Sequence, residues 1–126
     1  MSEVIHTDQA PAAIGPYVQA RRVGPWLYTS GQIALNPQSG DMVGADAASQ
    51  ATQVMKNLAA VLSAGGACKE NVIKTTIFLV DMADFASVNQ IYGDFFGEHR
   101  PARSTVAVAQ LPKGALVEIE CVAFIS

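Results

Sequence analysis

One cation, two carboxylates and a few small hydroxyls are the residues here whose types and spacing could do chemistry. Arg103 stands in the run Pro101-Ala102-Arg103-Ser104-Thr105, at the start of an extended segment. Its planar guanidinium is suited to grip a carboxylate through two parallel hydrogen bonds. Glu118 and Glu120 stand two apart in Val117-Glu118-Ile119-Glu120. On a strand, side chains at i and i+2 share a face about 7 Å apart, so the two carboxylates are neighbours. A nearby Arg and a second carboxylate push a carboxyl group's proton affinity in opposite directions, which suits Glu118 to general acid–base work. The plainer reading is an ordinary ion pair or a solvated face, and spacing alone favours it. Gly31, after Thr29-Ser30, ends a strand: it either admits a ligand close to the backbone or only turns the chain. Tyr17, after Gly15-Pro16, reads as a core aromatic from its sequence setting.

Other chemistries lack their residues. No GxGxxG or P-loop signals a phosphate cradle, and no GxSxG elbow supports a nucleophilic serine. His6 and His99 are not at metal-ligand spacing, and Cys68 and Cys121 lie far apart with no CxxC pair. No metal, cofactor or disulfide framework is expected. Cys121 reads as core and Cys68 as a loop residue.

The elements that must position Arg103 and the glutamates follow from periodicity. Residues 17–23 and 26–30 read as two strands joined by a Gly24-Pro25 turn. From Asp46 to Ala64, Ala51, Val54, Met55, Leu58 and Leu62 recur at helical spacing, with Asp46 as cap and Gly65-Gly66 as stop. Val72 to Val80 is β-branched and reads as a strand, with Ile73, Ile77 and Leu79 on its apolar side, interrupted by Thr75. Asp84 caps a second helix carrying Phe85, Val88, Tyr92, Phe95 and Phe96 on one stripe. Two strands, 103–110 and 115–125, complete a β-β-α-β-α-β-β order. In the last, Val117, Ile119, Cys121 and Ala123 face one way and Glu118 and Glu120 the other. Two helices then cover one sheet face. The other is expected to hold Glu118, Glu120, Arg103 and Thr105 among apolar groups, a mixture that suits a subunit interface with polar pockets. If the last two strands form a simple hairpin, Arg103 falls near Ala123 and not near Glu118.

At 126 residues the chain fits a single α+β domain, 1–126. Charged residues make up 15%, against about 25% in an average domain, so part of the surface is expected to be small and neutral or covered. The net charge of −3 argues against a clamp on nucleic-acid backbone. No apolar run approaches the ~20 residues of a membrane-spanning helix, and the polar N-terminus is not a secretory signal. A cytoplasmic protein is the expectation.

The motifs also carry a resemblance. Ala10-Pro11-Ala12-Ala13-Ile14-Gly15-Pro16-Tyr17, Thr29-Ser30-Gly31-Gln32-Ile33, Val72 to Val80 with Asp81 and Phe85, Pro101-Ala102-Arg103-Ser104, Leu111-Pro112-Lys113-Gly114 and Val117-Glu118-Ile119-Glu120 resemble the signatures of the RidA (YjgF) family, in register along the whole chain. The resemblance implies a chorismate-mutase-like fold. It further implies a homotrimer whose sheets form a central barrel, with ligand pockets at the subunit interfaces. It implies cofactor-independent hydrolysis of 2-imino acids and their 2-enamino tautomers to 2-keto acids and ammonia. By position, Arg103 would clamp the substrate carboxylate, Glu118 would hold the attacking water with the Thr105 backbone carbonyl, and Tyr17, Ser30 and Gly31 would line the pocket. Many members carry Cys where this chain has Thr105, so a thiol role is absent here. The segment Glu98-His99-Arg100 before Pro101 is shorter than in some members. The alternatives are a keto-acid or amino-acid binding trimer without turnover, an RNA-acting protein, and a chaperone-like protein.

Overall fold

A computed structural model describes residues 1–126. Six strands and two helices follow one another as β1 (Glu3–Ile5), β2 (Ala20–Val23), β3 (Trp26–Thr29), α1 (Ala47–Ala64), β4 (Val72–Leu79), α2 (Phe85–Phe96), β5 (Ala102–Ala107) and β6 (Val117–Phe124). They form one mixed sheet in the order β1-β2-β3-β6-β4-β5, with β4 and β5 parallel and every other pair antiparallel. Both helices pack on one face of it, the α+β architecture expected. No helix is long and apolar enough to cross a membrane.

Local chemistry accounts for the elements. Val23 and Trp26 close the β2–β3 hairpin around Gly24, whose φ of 58° is open to glycine. Asp46 accepts from the Ser49 amide at 2.8 Å while the Ser49 hydroxyl reaches back to the Asp46 amide, a capping box that starts α1. The apolar stripe of α1 then buries Ala51, Val54, Met55, Leu58 and Leu62 against β3 and β6. In β6 the alternation holds: Val117, Ile119, Cys121 and Ala123 are buried under the helices. In α2, Val88, Tyr92 and Phe96 face the core, and the Tyr92 hydroxyl meets the buried Thr75 hydroxyl at 2.6 Å. That bond explains how a polar residue is accommodated on the apolar side of β4.

The structure corrects four expectations. A short strand, β1, pairs with β2; three residues are too few for a period to show. A bulge between Val72 and Lys74 puts Val72 in the core and leaves Ile73 exposed. Asp84 precedes α2 without bonding to it through its side chain, and Asp81 instead caps the turn Met82–Asp84. Most consequentially, β5 and β6 are not a hairpin. β6 inserts between β3 and β4, and β5 lies on the far side of β4. Arg103 is level with Thr75 and Cys121, and Thr105 with Ile77 and Ile119. Arg103 and Thr105 therefore sit on the helix-covered side of the sheet, opposite the face that holds Glu118 and Glu120. The parallel pairing reversed their assignment.

The uncovered face is mixed. Its rows run Trp26–Phe124, Tyr28–Val122–Lys74–Ala102, Glu120–Thr76–Ser104 and Glu118–Phe78–Val106. Tyr28 is 52% exposed and Val106 44%, with Trp26 packed edge-on against Phe124 beside them. β5 forms an open sheet edge.

The two thiols differ sharply. Cys121 is buried, and burial pushes its pKa up to about 11; Cys68 is exposed. Since the thiolate is the reactive form, iodoacetamide at neutral pH should label Cys68 and spare Cys121 until the chain is unfolded. Peptide mass spectrometry would refute this by finding both alkylated in the folded protein.

Candidate functional site

Glu118 closes one side of a cleft of about 250 Å3. Its other walls are Pro11, Ala12, Ile14 and Tyr17 from the segment before β2, Gly31 to Ile33 after β3, and Pro112 and Lys113 before β6. Three chain segments far apart in sequence must be held together, and two buried amides tie down two of them. Gln19 accepts from the Thr7 amide at 2.7 Å and donates to the carbonyls of Thr7, Ala10 and Pro11 at 3.0, 3.3 and 2.8 Å. Asn57, buried on α1, donates to the carbonyls of Ile33 and Leu35 at 3.1 and 3.0 Å. Each side-chain amide satisfies backbone groups that no strand pairs, which is what a buried irregular wall requires.

Gln32 exchanges backbone hydrogen bonds with Ile119 at 2.9 and 3.1 Å, and this pairing presses Gly31 onto Glu118. A methyl group on Gly31 would lie 2.7 Å from Oε2 of Glu118. Gly31 is thus a close approach and not merely a turn. Tyr17, expected in the core from its setting, is half-exposed and forms part of the cleft wall. Ser30 shapes the cleft without lining it: its hydroxyl donates to the Val18 carbonyl at 2.6 Å. Lys113 brings a cation to the rim, on a left-handed backbone with φ 57°.

The Glu118 carboxyl is half-buried. Burial, and next the charge of Glu120, raise its pKa above the ordinary 4.5. No cation of the chain compensates it, since the one ion pair present is the exposed His6–Asp8 contact at 3.2 Å. The plainer reading of an ion pair between Arg103 and the glutamates does not hold within one chain.

Arg103 lies on the other side of the sheet. Its Nη1 donates to Oδ1 of Asn89 at 2.6 Å, and its guanidinium stands 5.0 Å from the Tyr92 ring and 5.5 Å from that of Phe85. Two aromatic faces and a neutral amide orient the charge without neutralising it. With Asn89, Tyr92, Gly93, Arg100 and Pro101 it lines a second cleft of about 400 Å3. The nearby Thr105 has a buried hydroxyl with no hydrogen-bond partner. Of the residues expected at one site, Glu118, Tyr17 and Gly31 come together, while Arg103 and Thr105 form a separate group. Sequence reasoning missed Gln19, Asn57 and Asn89. Asn89 was findable, lying between Phe85 and Tyr92 on their own helical stripe.

The Endoribonuclease L-PSP family model matches residues 7–125. The chain is 50% identical, over 126 residues covering 98% of each sequence, to the 2-iminobutanoate/2-iminopropanoate deaminase of Escherichia coli. It is 55% identical to a RutC family protein of Synechocystis, over 96% of this chain and 95% of that one. Among solved structures, Escherichia coli TdcF with bound serine superposes with a TM-score of 0.94 at 44% identity, covering 98% of this chain and 99% of that one. RidA from an Antarctic Psychrobacter does so with a TM-score of 0.94 at 41% identity and the same coverage. The chain belongs to the Endoribonuclease L-PSP family, the family of RidA (YjgF).

Proposed function

We propose that residues 1–126 form a homotrimeric, cytoplasmic hydrolase that converts 2-imino acids and their 2-enamino tautomers to 2-keto acids and ammonia. The site is shared: Arg103 of one copy faces the Glu118 cleft of the next. The observation that carries this is the placement of an uncompensated guanidinium and an uncompensated carboxylate on opposite faces of one sheet. The open, partly apolar sheet face is a surface for other copies to cover. The deaminase name of a relative 50% identical over its length supports the chemistry. The exposed, unpaired Cys68 suits a reducing compartment.

In this site Arg103 would grip the substrate carboxylate through two hydrogen bonds and so fix the C=N carbon beside Glu118. Glu118, with the Thr105 backbone carbonyl, would hold a water and take its proton as the oxygen adds to that carbon. The proton returns to nitrogen, the C–N bond breaks as the new hydroxyl gives its own proton to Glu118 and becomes the keto oxygen, and ammonia and the keto acid leave. A protonated imine carbon is already electrophilic, so the reaction asks for positioning and one proton carrier.

The test is release of ammonia and 2-oxobutanoate from freshly generated 2-aminocrotonate, with the oligomeric state measured on the same sample. Acceleration by a trimer is expected. Failure of a properly assembled trimer to accelerate the release would refute the activity. The pH profile follows from the raised Glu118 pKa: the base must be ionised, so kcat/KM should fall as pH drops through an acid limb lying above 4.5. A flat profile down to that value would remove Glu118 as the base.

The serine held by the TdcF structure favours a second reading, in which the same site binds amino or keto acids without turnover. Glu118→Gln separates the two, because only turnover needs the carboxylate. An RNA-acting role has less support, since the net charge is −3 and the open face carries two carboxylates.

A further inference from the structure

Arg103 does not line its cleft alone. Arg100, three residues earlier, lines the same cleft of about 400 Å3, a volume within the range of small-molecule pockets. The two guanidiniums are held by neutral groups only. Nη1 of Arg100 donates to the carbonyls of Gly97 and His99, the latter at 3.1 Å. Arg103 rests on Asn89 and the two aromatic rings. Asp94, which lines the adjoining cleft with Arg100, is engaged by Nε2 of Gln90 at 3.1 Å and makes no ion pair with either arginine. Arg100 also sits on a fixed connection. Gly97 turns the chain at φ 66°, His99 is tied to the Val72 carbonyl at 2.7 Å, and Pro101 restricts the residue before it.

We infer that this cleft recognises two carboxylates at once, and that the preferred ligands are dicarboxylic 2-keto or 2-imino acids. The inference rests on the proposed role of Arg103 as grip for the carboxylate next to the reacting carbon. Arg100 then takes the distal carboxylate, and it is a specificity residue that touches no reacting atom. In the assembled site Glu118 of the next copy meets Arg103, but Arg100 has no carboxylate partner, so a second ligand carboxylate is met by a donor already in place.

Calorimetric titration of the assembled protein with 2-oxoglutarate and with 2-oxobutanoate tests this. The wild type should bind 2-oxoglutarate tighter by about tenfold or more. Arg100→Gln should bring the ratio close to one, and Arg100→Lys, which keeps the charge, should retain most of the preference. Equal affinities in the wild type, or a ratio unchanged in Arg100→Gln, would overturn the inference. So would inorganic phosphate binding as tightly as 2-oxoglutarate, which would make the cleft a general anion patch. The hydrolytic reading is judged separately. If no imine is hydrolysed but 2-oxoglutarate binding depends on Arg100, the reading falls and the dicarboxylate site stands.

Discussion

Arg103→Ala and Glu118→Gln, each nearly inactive alone, should restore one another when mixed. Each substitution removes a group that a shared site cannot replace, and the single losses in kcat/KM should be about 100-fold or more. In mixed trimers, however, an intact Arg103 on one copy can face an intact Glu118 on the next. Random reassembly after joint unfolding and refolding gives each mixed trimer one intact site, or about a quarter of wild-type activity overall. The expectation follows from the register: Arg103 is level with Thr75 on the helix side, while Glu118 is level with Phe78 on the open side. A site within one chain would give no recovery at all, and that result would break the proposed assembly of the active site.

Gly31→Ala should lower kcat/KM about 100-fold while leaving the fold intact. The new methyl would stand 2.7 Å from Oε2 and 2.8 Å from Cδ of Glu118, closer than carbon and oxygen can approach. What yields is the end of a flexible side chain, so the carboxylate moves and the backbone does not. A displacement of about 1 Å in a reacting group can cost two orders of magnitude in rate. The measurement is the rate with 2-aminocrotonate beside the thermal midpoint. A variant with wild-type kinetics would show that the position of Glu118 is not critical. One that fails to fold would show that Gly31 serves the backbone instead.

How much of this was legible in the sequence depended on whether the signal was local. The α1 stripe, the hairpin at Gly24 and the alternation in β6 are periodic over several turns or pleats, and each fold element they imply is present. The site residues were legible as types: a fork-shaped cation and paired carboxylates are rare enough in this charge-poor chain to stand out. Their relation was not. Whether Arg103 shares a face with Glu118 depends on β5 pairing in parallel with β4 and not folding back on β6, and no local pattern encodes that choice. Ile73 was misplaced because a bulge shifts the period by one residue, and a bulge leaves no compositional mark in Val72-Ile73-Lys74. Gln19 and Asn57 escaped because single buried amides look like any surface polar residue until their carbonyl partners are known.

Those two amides have a consequence for motion. Gln19 ties residues 7 to 11 to the start of β2, and Asn57 ties residues 33 to 35 to α1. Ala10 and Ala34 reach into the core, but neither wall lies in a strand of the sheet. The cleft can therefore breathe as a small unit, exchanging its amide hydrogens through local openings far below the cost of global unfolding. Substrate entry and product escape can draw on that same soft mode while the core beneath stays closed.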